Sequence, residues 1–305
     1  MIVDSGLRLA PILCLFGLTG ALAGTACTDA APGDDAAPDG EGPPVVAVPV
    51  VPMAGLVEAI APPGALDVVV LVPPGANPAT YEPALEELRR TAEARLYLAL
   101  GHPAFVFERT WLDGLLGGSD AERVEPFVDC PVVEDDYHVW LSASCVGDAG
   151  RRVAGALRRI VPGAGAEIDE RLAAFLQRVA TTDSATRVRL EPHRGGAFVV
   201  LHPAWGYLAR SYELEQLSIL THGTGDPGAG RVAELIDRAR RSGTRRVFIQ
   251  PQFNRAPARL VAEEIGAELV LLDPLQRDPL AAIDEVTMAL ARDFEERPTI
   301  EGSGR

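Results

Sequence analysis

The 305-residue chain is 47% hydrophobic and carries a formal net charge of -15. That balance argues against nucleic acid as a partner and against adhesion to a membrane surface through basic patches. It is compatible with a cation as ligand, and the four cysteines include no CxxC pair of the kind that builds a thiolate metal site.

Residues 1–27, "MIVDSGLRLAPILCLFGLTGALAGTAC", place one arginine before an apolar core at 9–22 and then small residues. That is a secretory signal, too short and too weakly flanked for a spanning helix. Its end, "GTAC", resembles a bacterial lipobox in which Gly24 replaces the usual leucine. Cleavage before Cys27 with lipid attachment there is expected; cleavage by ordinary signal peptidase is the alternative. Residues 28–43, "TDAAPGDDAAPDGEGP", contain no large apolar residue and read as a disordered acidic tether.

From residue 44 strands alternate with helices. "VVAVPVV" (45–51) and "LDVVVLVP" (66–73) flank a helix at 53–61. A helix at 81–94, a strand at 95–100, an aromatic helix at 104–116 and a strand at 121–129 complete an N-terminal α/β lobe, residues 44–147. Connecting helices occupy 148–191, broken near Pro162. Ile168, Leu172, Phe175, Leu176 and Val179 form one apolar stripe of helical period on the second of them. The C-terminal lobe, 192–298, repeats the rhythm with strands at 197–202, 215–220, 245–252 and 268–273. Its helices lie at 204–214, 230–243, 255–267 and 280–294, and 299–305 is a flexible tail. The expected fold is α/β: two mainly parallel sheets flanked by helices, joined by one long rigid helix, with a ligand cleft between them. Ligands of such sheets sit just past strand ends.

Four strand ends qualify: the loop "GANPATYEP" around Ala79, "DDYHVW" with His138, "LHPAWGY" with His202, and "LLDPL" with Asp273. Two imidazoles and a carboxylate have zinc-ligand chemistry. Taken singly, each has a plainer explanation as a hydrogen-bonded loop residue. Cys130 and Cys145 remain in an exported chain and should form a disulfide bracketing His138.

Several stretches together resemble one family. "LVPPGANPATYEP", "YHVWLS", "FVVLHPAWGYLARSYEL", "VFIQPQF" and "LVLLDPL" occur in the order found in the periplasmic zinc- and manganese-binding proteins of ABC importers, the group with a rigid connecting helix. The resemblance covers residues 45–295. It implies a metal held by a histidine in a "PHTYEP" loop, a histidine in "HVWL", a histidine or glutamate before "AWGY", and a late aspartate. His138, His202 and Asp273 match three of these, and the first falls on Ala79, which has no ligand atom. Histidine at the third position favours Zn²⁺ as transported ligand over Mn²⁺. The His- and acid-rich loop of many zinc members is missing here. His102, after the strand at 95–100, could substitute at the gap; His222, in a Gly-rich loop, is the weaker candidate, and His193 should be solvated. Trp140 and Trp205 should pack around the site.

The resemblance implies a non-enzymatic, monomeric solute-binding protein, periplasmic or at the cell surface, whose partners are a metal ion and an ABC permease, with membrane contact through the lipid anchor alone. One alternative is a degenerate relative whose weakened site binds another solute or acts as sensor or scaffold. Last stands a zinc-dependent hydrolase with Glu82 as base, although Glu82 has a simpler role at the positive end of the helix it opens.

Overall fold

The computed structural model describes residues 42–133, 135–222 and 228–298. The signal, Cys27, residues 28–41 of the tether and the 299–305 tail lie outside the described residues.

Each half begins with a short apolar strand that has sheet partners on both sides. In the first, β1 (Val45–Val48) pairs in parallel with β2 (Asp67–Val70) and β3 (Leu96–Leu98), and β3 pairs with β4 (Glu122–Val124). In the second, β5 (Ala197–Val200) pairs with β6 (Glu215–Ser218) and β7 (Arg246–Ile249), and β7 with β8 (Glu268–Leu271). The strand orders, β2-β1-β3-β4 and β6-β5-β7-β8, are therefore equivalent strand for strand. In both sheets the strand order reverses beside the first strand while every strand stays parallel, and the carboxyl ends at such a switch form the crevice where ligands bind.

Every strand is shorter than its apolar run. Apolar residues persist into the turns because turn residues such as Leu71, Val72 and Leu201 are buried as fully as the strands. The helices between strands are α1 (Val51–Ile60), α2 (Leu85–Ala92) and α3 (Val106–Leu116) in the first half. The second half has α6 (Gly206–Ser211), α7 (Ala229–Arg241), α8 (Ala256–Ile265) and the closing α9 (Pro279–Glu295). One expectation fails here: the helix expected from residue 81 starts only at Leu85. Pro83 disfavours helical geometry at Glu82, so Glu82 is exposed outside the helix and does not open it. Glu87 serves the helix end instead, accepting from the Ala84 N–H at 2.7 Å.

Between the sheets run α4 (Ala143–Ile160) and α5 (Gly165–Leu190). The 26 residues of α5 span about 39 Å at 1.5 Å per residue. Its expected stripe is in place: Ile168, Phe175 and Val179 are buried, with Leu172 and Leu176 packed against the same core. The join is not made by α5 alone. α9 also packs on α5, α4 and α1, so the last helix of the chain braces the first half. One continuous core runs from β1 and β3 through α4 and α9 to Phe198, Val200 and Trp205; a second core is confined to the far face of the second sheet. His193 is half-buried and stacked on Phe294 of α9, with ring centres 5.0 Å apart, and is not the solvated residue expected.

The tightest point of this brace is Gly55 in α1, where an added Cβ would overlap the backbone carbonyl of Arg277. The Arg277 side chain then reaches Glu58 of the same helix, Nε to carboxylate 2.7 Å. Gly55→Ala should therefore wedge α1 from the turn before α9 and cost about 1–3 kcal/mol. A urea unfolding curve checks this; an unchanged midpoint would mean that the contact is slack.

Candidate metal centre

His138 lies in the segment between β4 and α4. The disulfide Cys130–Cys145, with Cα atoms 5.4 Å apart, ties that segment to the first turn of α4. Closing a loop of this length contributes about 3 kcal/mol on the chain-entropy account. Within it, Val133 and Asp136 form an isolated bridge. Asp136 is only 3% exposed, and one of its oxygens accepts from both the His138 backbone N–H, at 2.9 Å, and the ring Nδ1, at 2.7 Å. A carboxylate can only accept, so the proton sits on Nδ1 and the lone pair is on Nε2. This is the arrangement that prepares a histidine for a metal. Burial pushes the Asp136 carboxyl up, but the adjacent His138 ring and its hydrogen bonds outweigh it and hold the group below its ordinary value. The His138 ring is stacked on Tyr137 at 4.3 Å and meets Trp140 edge-on at 5.3 Å.

The other oxygen of Asp136 crosses to the second half, where the Gly206 N–H donates to it at 2.8 Å. A Cβ at residue 206 would stand 2.6 Å from that oxygen, so only glycine leaves room for the bond. Gly206 opens α6 and belongs to the "AWGY" stretch.

His202 follows β5. Its backbone is gripped by the wholly buried Gln250 past β7: the His202 N–H donates to Oε1 and Nε2 donates to the His202 carbonyl, both at 3.1 Å. The ring is stacked on Phe253 at 4.4 Å. Burial, then the neighbouring imidazoles of His138 and His222, lower its pKa well below the ordinary histidine value, so the ring stays neutral with a lone pair to offer. The rings of His138 and His202 meet edge-on with centres 5.4 Å apart, at 72°. Two imidazoles sharing one tetrahedral ion through nitrogen at 2.0–2.1 Å would have centres about 5.2 Å apart. The pair has the spacing of two ligands to one ion.

Asp273 follows β8, half-buried. One oxygen is committed to the Gln252 side-chain amide at 2.8 Å and the Leu275 N–H at 2.9 Å. The next residue, Pro274, accepts from the Trp140 indole at 2.7 Å, which sets the Asp273 turn against the segment that carries His138. Trp140 and Trp205 are both buried, as expected.

Ala79 is exposed in the loop after β2. The loop holds itself: the Ala79 N–H donates to the Asn77 side chain at 2.9 Å, and the Thr80 and Tyr81 N–H groups to the Asn77 carbonyl. His102 is buried, but its Nδ1 accepts from the Ala104 N–H at 3.1 Å. In a neutral ring the proton must then be on Nε2, which is buried without a hydrogen-bond partner. His102 thus presents a donor where a ligand needs a lone pair, and this speaks against it as the substitute ligand. Among the described residues no three His, Cys, Asp or Glu side chains already converge on one point, so a third donor needs side-chain rotation to join the pair.

Sequence reasoning missed Asp136, Gln250 and Gln252, which hold the candidate ligands in place. The signal for Asp136 was the acid two residues before the histidine in "DDYHVW". Asp136→Asn removes the acceptor that fixes the His138 tautomer and should weaken metal binding about 10–100-fold. Gly206→Ala should act in the same direction by displacing the carboxylate. A competition titration against a chelating dye reads both; unchanged affinity in Asp136→Asn would assign the carboxylate to folding alone.

The ZnuA family, described as zinc-uptake complex component A, periplasmic, matches residues 46–287. The zinc-binding lipoprotein AdcA of Streptococcus pneumoniae (strain ATCC BAA-255 / R6) is 24% identical over 237 residues, 69% of this chain and 46% of that protein. The chain thus spans about half the length of this curated relative. A crystal structure of ZnuA superposes with a TM-score of 0.77 at 29% identity, covering 83% of this chain and 99% of that one. A manganese-bound periplasmic metal binding protein from candidatus liberibacter asiaticus shares the fold, with a TM-score of 0.71 at 16% identity, over 82% of this chain and 99% of its own. The chain belongs to the ZnuA family, the periplasmic metal-binding components of ABC uptake systems, which are solute-binding proteins rather than enzymes.

Proposed function

We propose that the chain captures Zn²⁺ outside the cytoplasmic membrane, holds it in the cleft between its sheets through His138, His202 and Asp273, and delivers it to an ABC permease. The observation that carries this reading is the adjacent pair of imidazoles. His138 is set in its ligating tautomer by a buried carboxylate, and His202 stands 5.4 Å away, ring centre to ring centre. Nitrogen donors favour zinc over manganese, which prefers oxygen. The zinc-binding names of AdcA and of the ZnuA relatives agree with that choice. The lipoprotein name of AdcA supports an anchor at Cys27, which would keep the protein beside the permease.

The second reading, a weakened site, draws on the exposed Ala79 and on the incomplete convergence of donors. The two readings separate in one experiment. Protein purified without chelators should bind one zinc per chain and bind manganese far more weakly. His138→Ala and His202→Ala should each lower zinc affinity by roughly a hundredfold, about 2.7 kcal/mol. Preference for manganese would overturn the choice of metal. Near-native affinity in both variants would place the site elsewhere, and no binding by the parent would favour the weakened relative.

A further inference from the structure

If zinc is bound as proposed, the position that Ala79 leaves without a donor has to be filled from elsewhere or left to solvent. We infer that His222, in the loop after β6, is the replacement ligand, so that a third imidazole supplied by the second half stands in for the one missing from the first.

Three observations carry this. The His222 ring centre lies 5.8 Å from that of His202 at 76°, close to the 5.4 Å and 72° between His202 and His138. Imidazoles on one tetrahedral ion are separated by about 5.2 Å, and by more as the ligand angle opens, so each spacing suits a pair of ligands, and side-chain rotation would bring the third nitrogen to the pair. Second, His222 acts electrostatically on His102 and Asp136 of the first half as well as on His202, in keeping with its ring contact to His202. Third, the topology puts it there. β2 and β6 hold the same edge position in equivalent sheets, so the loop after β6 is the counterpart of the Ala79 loop. In the same way the His138 segment after β4 corresponds to the Asp273 turn after β8.

The competing substitute, His102, is held the wrong way round. Its Nδ1 lone pair is taken by Ala104 N–H, and Nε2 carries the proton. With His222 in place the donor set gains a third nitrogen, which sharpens the preference for zinc over manganese.

The test is a zinc titration of the protein labelled with ¹⁵N in its histidine rings, followed by long-range imidazole correlation spectra, alongside affinity measurements on three variants: His222→Ala, Ala79→His and the two combined. The ring nitrogens of His138, His202 and His222 should move together to metal-bound positions at one equivalent of zinc, while those of His102 keep their tautomer. His222→Ala should lower zinc affinity roughly tenfold or more. Ala79→His should restore affinity in the His222→Ala background and change the parent by less than about threefold. If His138 and His202 shift while His222 does not, the assignment of His222 is wrong and the proposed function stands. It is equally wrong if Ala79→His strengthens the parent tenfold. If zinc moves none of the rings, both fall.

Discussion

The carboxylate of Asp136 is the point on which the geometry of the cleft depends. One oxygen fixes the backbone and the ring of His138; the other takes the first N–H of α6 in the opposite half. A buried ion without partners would be strongly unfavourable, so three donors are required to keep it ionised there. Those donors belong to both halves. The charge that orients the His138 ring therefore also ties its segment to the start of α6 in the other half. The absence of a side chain at Gly206 is the condition for this contact.

Around it the fold limits how the cleft can open. Two parallel sheets of equivalent strand order turn their carboxyl ends to one region, and both α5 and α9 bridge them. The core continues from one half to the other without a break. Hinged closure needs a few residues that can absorb a large change in backbone angle between bodies that separate cleanly. Two braces and a shared core leave no such place, so release of a bound ion would fall to the loops. Those loops differ in how they are held. The His138 segment has a disulfide and Asp136, His202 has Gln250, and the Ala79 loop has its own asparagine turn, with Tyr81 hydrogen-bonded to Glu87.

Much of this was legible in the sequence. Strand and helix alternate with periods that sheet and helix geometry require, and the stripe on α5 packs as its spacing demands. His138 and His202 stood out as candidates because they lie past strand ends in the family-like stretches "YHVWLS" and "LHPAWGY", and the fold brings their rings to 5.4 Å. What could not be read was relational. The Asp136–Gly206 bond joins residues 70 positions apart, and Gln250 meets His202 across 48; no local pattern encodes either. The start of α2 was misplaced because the apolar and acidic periodicity of 81–94 outweighed the constraint that Pro83 puts on its neighbour. The Ala104 N–H bond to His102, which weighs against it as substitute ligand, is equally absent from any sequence pattern. His222 looked peripheral because its closeness to His202 depends on how β6 stands beside β5.

The central claim is that His138 and His202 share one metal ion. Diffraction from crystals grown with one equivalent of zinc, recorded on both sides of the zinc absorption edge, tests it directly. The account predicts a single anomalous peak between the two rings, within 2.0–2.1 Å of His138 Nε2 and of a His202 nitrogen, about the length of a zinc–imidazole bond. A peak bound only by surface carboxylates, or a cleft without a peak in zinc-replete crystals, would contradict it.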